Sequence, residues 1–482
     1  MILASIFLIL ILSLFVIFLI PEKNIFFIRQ FCLIVSGIVL ILSLDIFVNF
    51  NFNLYFFQNL MVFNSDLNLL NLNFIFGLDG ISVYFFVLTS LLMFLCFLFS
   101  WNNIYLKTHF FNFLFLELLL LLVFSVLDLI LFYVFFEAIL IPMFLIIGVL
   151  GSRARKIRAA YLLFFYTLIG SLLMLIGIIY IYSITGTSNL EILFSFRFSL
   201  IEQQWLWLAF FVSFASKIPM FPFHIWLPEA HVEAPTVGSV LLAGILLKLG
   251  VYGFLRFSLV LFPEACLYYS PLVYLLCIIG LLYSSFTAIR QTDVKRIIAY
   301  SSIAHMNLVV LGIFSFSIIG LEGSVVQSLS HGFVSGGMFL LVGILYDRYH
   351  SRLLYYYGGL VHVMPMYSFF FFSFTLANIA MPGTSSFVGE FLLLYGIYKI
   401  SIITSVLSTI GVVLSGVYSL WLYNRLVFGN LKISYTKKFN DLNFREFTIL
   451  SILLVQIIFF GLYPSLILDG IQFSTAKLFK IF

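Results

Sequence analysis

Charge is scarce in this sequence. Asp, Glu, Lys and Arg make up 9% of its 482 residues, against 63% hydrophobic. A soluble domain ordinarily spends roughly a quarter of its residues on charge to make a wettable shell, so a water-exposed globule is excluded. Cysteine is almost missing, and Cys32, Cys96, Cys266 and Cys277 stand apart in apolar stretches without C-x-x-C spacing. That spacing supports neither an iron-sulfur nor a zinc centre. No G-x-G-x-x-G follows a strand and no P-loop occurs, which leaves no recognisable nucleotide or flavin site. We therefore assign no cofactor-binding and no metal-binding residue, and any redox chemistry must lie elsewhere. Period-two alternation is absent too, which excludes a membrane barrel. The first apolar run lacks a basic leader and an A-x-A site, so it reads as a span rather than a signal sequence.

What the sequence does have is length in apolar runs. Stretches from 2–20 through to 446–466 cross ~30 Å of hydrocarbon as helices and number about fourteen. The expected fold class is an all-α polytopic membrane protein. Loop cations set its orientation: Lys23 and Arg29, Lys107, Arg153 to Arg158, Arg290 to Arg296, Arg348 and Arg352, then Arg425, Lys432, Lys437, Lys438 and Arg445 all follow odd-numbered spans. The positive-inside rule puts these loops on one side and both termini on the other. The net charge of +5 thus reports topology, and no basic patch with interleaved aromatics suggests nucleic acid.

Ionisable residues inside the spans carry a functional hypothesis, because a charge at the bilayer centre costs about 2.5–3.5 kcal/mol on insertion scales. Glu137, Lys217, Lys248, Glu390 and Asp128 are the candidates; Asp45, Glu117 and Arg256 lie near span ends, where a side chain can snorkel, and are left unassigned. The competing reading of each candidate is an ion pair that only fixes helix packing. Pro219 and Pro222 free the carbonyls of Ala215 and Ile218 beside Lys217, and a freed carbonyl at membrane depth needs water or a neighbouring helix. Pro382 repeats the device before Glu390. Two broken helices in corresponding places suggest two inverted five-helix repeats, 110–258 and 268–427, flanked by 1–109 and 428–482. Ser324, Gln327, Ser328, His331 and Ser335 recur at helical spacing and form a polar stripe, which His305 can join. Buried groups of both signs with no metal set are what stepwise proton transfer uses, since desolvation favours the neutral form of each while a nearby opposite charge restores the ionised one.

These residues lie in stretches that resemble a known family. "FGLDGIS" (76–82), "FYVFFEAILIPMFLIIG" (132–148), "SKIPMFPFHIWLPEAHVEAPTVGSVLLAGILLKLG" (216–250), "DVKRIIAYSSIAHMNL" (293–308), "SHGFVSGGMFLLVG" (330–343) and "MPGTSSFVGEFLLL" (381–394) are similar to the antiporter-like membrane subunits of proton-pumping NADH:ubiquinone oxidoreductase, respiratory complex I. The resemblance covers about residues 76–427. It implies fourteen helices, two inverted repeats and proton carriage in the membrane arm. It also implies that NADH, FMN, iron-sulfur clusters and ubiquinone are bound by other subunits. Matched motif by motif, Glu137 is the glutamate of the fifth helix, Lys217 its partner on the broken seventh, Lys248 the central lysine of the eighth and Glu390 the exit-side glutamate of the twelfth. His224, His231, His305 and His331 fall on family histidines. Glutamate at 390 resembles one branch of the family whose sister chains carry lysine there. The implied partners are the other membrane-arm subunits, including neighbouring antiporter-like chains, and membrane lipids such as cardiolipin.

The 62 Phe residues resemble proteins of AT-rich organelle genomes. On that basis a mitochondrial inner membrane is expected, with both termini on the intermembrane-space side. Two rivals remain: a stand-alone cation/proton antiporter subunit using the same axis, and a membrane scaffold with a dry interior.

Overall fold

Helix starts in this chain are written by single polar residues in apolar surroundings. Asp128, Asp293, Ser317 and Ser401 each accept a backbone N–H of the first turn, which satisfies a donor that hydrocarbon could not. A capping box of Asn443 and Glu446 begins a further helix. The computed structural model describes all residues except Met1, Tyr55, 65–72, 103–105, Ser152, 433–439 and 480–482. The loop lysines Lys437 and Lys438 lie outside the described residues.

The helices are α1 Ile2–Leu19, α2 Ile25–Val48, α3 Ser82–Phe99, α4 Leu106–Ser125, α5 Leu129–Ala138, α6 Leu140–Gly148, α7 Lys156–Thr185, α8 Leu200–Lys217 and α9 Trp226–Glu233. They continue as α10 Thr236–Leu261, α11 Pro263–Arg290, α12 Val294–Ile313, α13 Ile318–Tyr349, α14 Pro365–Asn378, α15 Ser385–Tyr398, α16 Ile402–Val427, α17 Phe444–Leu462 and α18 Ser465–Phe479. Among the described residues 12 spans are long and apolar enough to cross a membrane. The two other expected spans are the interrupted ones: α8 stops at Lys217 before α9, and α14 stops at Asn378 before α15. Pro219, Pro222 and Pro382 stand inside these interruptions, where each removes a helix hydrogen bond. In the second, Ala380 (φ 61°) and Gly383 (φ 93°) turn the chain through the left-handed region.

Two features were not expected from sequence. A two-stranded antiparallel hairpin, β1 Gln58–Asn64 and β2 Asn73–Leu78, precedes α3. The amphipathic α18 follows the last span. The fifth span is jointed at Ile139, between α5 and α6, where Pro142 cannot bond the Ala138 carbonyl.

The chain forms two compact units. The first holds residues 1–217, 249–269 and 469–482. In it Gly170 brings α7 against α8, where an added Cβ would lie 2.7 Å from Ser216 Oγ. The second holds 218–248 and 270–468 and is built around α13, which is buried along its apolar length. There α15 packs on α13 through small residues: a Cβ on Gly396 would lie 2.7 Å from Gly320 Cα, and one on Gly389 would lie 2.5 Å from Gln327 Oε1. Helices in lipid have little hydrophobic drive toward each other, so close backbone approach of this kind supplies the packing.

Candidate proton-transfer site

Lys248 sits in α10 just after a π-helical turn, Leu242–Leu246, of the kind that recurs at functional sites. Its ammonium donates to the Ala243 carbonyl in that turn and lies 2.8 Å from His331 Nδ1. The side chain is 0% exposed. His331, on the α13 stripe, has its ring centroid 5.8 Å from that of His305 on α12. His305 Nδ1 then lies 3.0 Å from Glu390 Oε1 on α15. Gln327 Nε2 donates to the same carboxylate oxygen at 3.2 Å, while its Oε1 accepts from Ser330 Oγ at 3.1 Å. The second bond fixes which end of the amide faces Glu390.

Four titratable groups from four helices therefore form one run, Lys248, His331, His305 and Glu390, all buried. Two of its atoms are buried without a hydrogen-bond partner among the described residues, His305 Nε2 and Glu390 Oε2. Orphans of this kind mark places for water, because burying an unmet polar atom costs about 1–3 kcal/mol.

The remaining stripe residues divide. Gln327 joins the run, but the hydroxyls of Ser324, Ser328 and Ser335 bond carbonyls of their own helix. Those three lower the polarity of the face without extending the chain of groups. His231 stacks on Phe339 at 4.6 Å and leaves both ring nitrogens unpartnered among the described residues. His224 packs against Phe221 and Tyr283.

The other unit holds the second group of candidates. Lys217 closes α8, is 4% exposed, and places its ammonium 4.2 Å from the Phe136 ring centroid and 3.3 Å from the Phe136 carbonyl. Glu137 is the next residue, yet no ion pair within 4.0 Å joins it to Lys217, and its buried Oε1 has no hydrogen-bond partner among the described residues. The fifth and seventh spans thus do meet, with the pair open.

Residues 126–416 match the family model described as NADH:quinone oxidoreductase/Mrp antiporter, TM, and this stretch contains every residue of both groups. The chain belongs to this family. It is 51% identical over 469 residues to the NADH-ubiquinone oxidoreductase chain 4 of Chondrus crispus, covering 97% of this chain and 95% of the relative. With the chain 4 of Arabidopsis thaliana it shares 52% over 464 residues, covering 95% and 93%. A chain of respiratory complex I from Thermus thermophilus with bound NADH superposes with a TM-score of 0.90 at 29% identity, covering 100% of this chain and 99% of that one.

For this family member, three sequence readings change. Asp128 is the N-cap of α5 and accepts from the Ser188 hydroxyl and from the Ile130 and Leu131 amides, a structural role. Glu117 is 0% exposed with both carboxyl oxygens unpartnered among the described residues, so it does not snorkel. Arg256 is buried and pairs with Asp79 at 2.8 Å. Burial alone would raise the Asp79 carboxyl, but the Arg256 guanidinium and hydrogen bonds from Ser82 outweigh it and hold the group below its ordinary 3.8. Asp45 does stay exposed at its helix end, taking a bond from Asn49. Two loop cations counted for topology are also buried. Lys295 donates to the Ala234 carbonyl at 2.9 Å, and Arg352 lies 3.9 Å from both Glu233 and Asp293. Hydropathy gave no warning, because both stand at the very ends of apolar runs. Among the described residues no group of three or more His, Cys, Asp or Glu is arranged to hold a metal.

Proposed function

We propose that this chain is an antiporter-like proton carrier in the membrane arm of a respiratory NADH:ubiquinone oxidoreductase, in the mitochondrial inner membrane. NADH, FMN, iron-sulfur clusters and ubiquinone belong to its partner subunits. The observation that carries the reading is the buried run from Lys248 to Glu390. A proton held by Lys248 passes along its 2.8 Å contact to His331 Nδ1. In this reading the imidazolium releases the proton of its other nitrogen toward the His305 ring, whose centroid lies 5.8 Å away, through a bridging water. His305 takes it on Nε2, the unpartnered nitrogen, and gives up the Nδ1 proton to Glu390 Oε1 at 3.0 Å. Each step leaves the histidine neutral in the other tautomer, and re-orientation of the ring or a second proton resets it.

Glu137 and Lys217 are the switch in this reading. With the pair open, Lys217 is held by a ring and one carbonyl, which stabilise an ammonium less than a carboxylate does. Closing and opening the pair changes how tightly the proton is held. The division into repeats 110–258 and 268–427, with both termini on the intermembrane-space side, belongs to the same reading. High identity to chain 4 relatives over nearly the whole chain favours a subunit of the large complex over a stand-alone antiporter.

Glu390→Gln tests the proposal. The amide keeps the size and the hydrogen bond of the carboxyl but cannot take up a proton. Assembled complex carrying it, reconstituted in liposomes, is expected to lose most NADH-driven proton uptake while oxidising NADH normally with an artificial acceptor. Unchanged pumping at full assembly would overturn the relay.

A further inference from the structure

The first unit carries a cavity of about 180 Å³, walled by the lead into β1, the start of α3, the segment before α8, the end of α10 and α18. Asp79, Arg256, Ser474 and Lys477 give it charge and a hydroxyl, while Phe57, Phe194 and Leu255 are among its apolar walls. Arg256 lies in a π-helical turn, Phe254–Ser258, a distortion frequent at functional sites. Its Nη1 donates to Asp79 Oδ2 at 2.8 Å. Its Nε and Nη2 are buried with no hydrogen-bond partner among the described residues. Those two nitrogens form one edge of the planar guanidinium, the edge that gives two parallel bonds to the two oxygens of one carboxylate. Asp79 does not fill that edge, because its Oδ2 is held by Nη1 and its Oδ1 accepts the Ser82 amide at 2.8 Å.

We infer that this cavity binds a small monocarboxylate with a compact apolar body, of about the size of benzoate. Three observations select that class. The open guanidinium edge is a bidentate donor, and a buried charged donor left unmet is costly. The charge count leaves room for one anion: the Arg256 guanidinium and the Lys477 ammonium lie 4.5 and 5.8 Å from the same ring, Phe57, and Asp79 is the one acid on the lining. Water would satisfy the hydrogen bonds and leave the surplus positive charge. The walls and volume then describe the body. A cavity of about 150 Å³ holds one benzene, so 180 Å³ takes a ring with a carboxyl group. Phosphate or sulfate would leave the apolar walls unused, and a neutral aromatic would leave the arginine edge unmet. Lys477 is exposed and adds a point charge at the rim. The site does not rest on the Lys248 to Glu390 run.

The test is photolabelling of the assembled complex with 4-azidobenzoate, mapped by mass spectrometry of its peptides. Wild type should be labelled at Phe57, Phe194 or residues 474–478. Excess benzoate should abolish that label, and equal concentrations of benzyl alcohol or inorganic phosphate should leave it. Arg256→Lys keeps a cation for Asp79 and removes the planar edge, so per assembled complex its label should fall roughly tenfold. Lys477→Gln, at an exposed position, should lower it about threefold. The competition arms use wild type alone and decide the matter even where Arg256→Lys fails to assemble. Absence of label from these segments, as when a partner subunit's own carboxylate fills the edge, would overturn the assignment. So would protection by benzyl alcohol or phosphate equal to that by benzoate, or undiminished label in Arg256→Lys.

Discussion

Replacing Lys217 with Met separates the two roles a buried lysine can have. Methionine matches the stem in length and removes the charge. In the structure the ammonium has the Phe136 ring at 4.2 Å and one carbonyl at 3.3 Å. The substitution forfeits a desolvated cation–π contact of about 2 kcal/mol and a charged hydrogen bond of about 1.5–3 kcal/mol. Against this it removes the penalty of an ammonium buried without a counter-ion, which is several kcal/mol. The balance lies near zero. If Lys217 were instead a fixed counter-ion of Glu137, deleting it would strand a carboxylate and cost about 3–5 kcal/mol. The account therefore expects Lys217→Met complex to assemble at close to wild-type amounts on native gels. Per assembled complex, proton uptake and quinone reduction should fall at least tenfold, with NADH oxidation by an artificial acceptor intact. Lys217→Arg should not restore pumping, because a guanidinium keeps its proton. The reasoning is refuted if Lys217→Met pumps normally. It is refuted equally if that variant fails to assemble and adding Glu137→Gln rescues it.

Two further predictions follow from packing and charge. Gly389→Ala drives a methyl to 2.5 Å from Gln327 Oε1 and 2.8 Å from its Cα, an overpacking that costs about 1–3 kcal/mol; the purified complex should melt earlier and lose coupled activity together. Arg256→Met strands the Asp79 carboxylate and should cost about 3–5 kcal/mol, largely recovered in Asp79→Asn/Arg256→Met. Because Asp79 is held below its ordinary 3.8, its pairing contributes fully above that pH and is lost as pH falls through the lowered value. The thermal-stability gap between wild type and Asp79→Asn should thus be flat near neutrality and close only in acid.

The sequence was most informative where chemistry is expensive. A lysine at 248 and a glutamate at 390 stand out of apolar runs because the bilayer penalises them, and both prove to be members of one run. Their order was not legible, because contacts such as Lys248 with His331 and His305 with Glu390 join residues 83 or so positions apart across helices. The breaks after Lys217 and Asn378 were legible, since proline removes a donor wherever it stands. Asp128 stayed open for the opposite reason: an acidic residue one step before an apolar run marks an N-cap, as the structure shows it to be, as readily as a buried charge. Glu117 and Arg256 were placed at span ends by their sequence neighbours, and only tertiary packing buries them. Glu137 and Lys217 were read as partners; the structure brings them side by side and leaves the pair open, which sequence has no means of stating.

The central claim is that protons travel through the run that begins at Lys248. The most direct measurement is NADH-driven proton uptake by assembled Lys248→Met complex in liposomes, scored beside NADH oxidation with an artificial acceptor. The account predicts that acceptor-linked oxidation continues while uptake falls to a small fraction of wild type. Wild-type uptake per electron in that variant would contradict it.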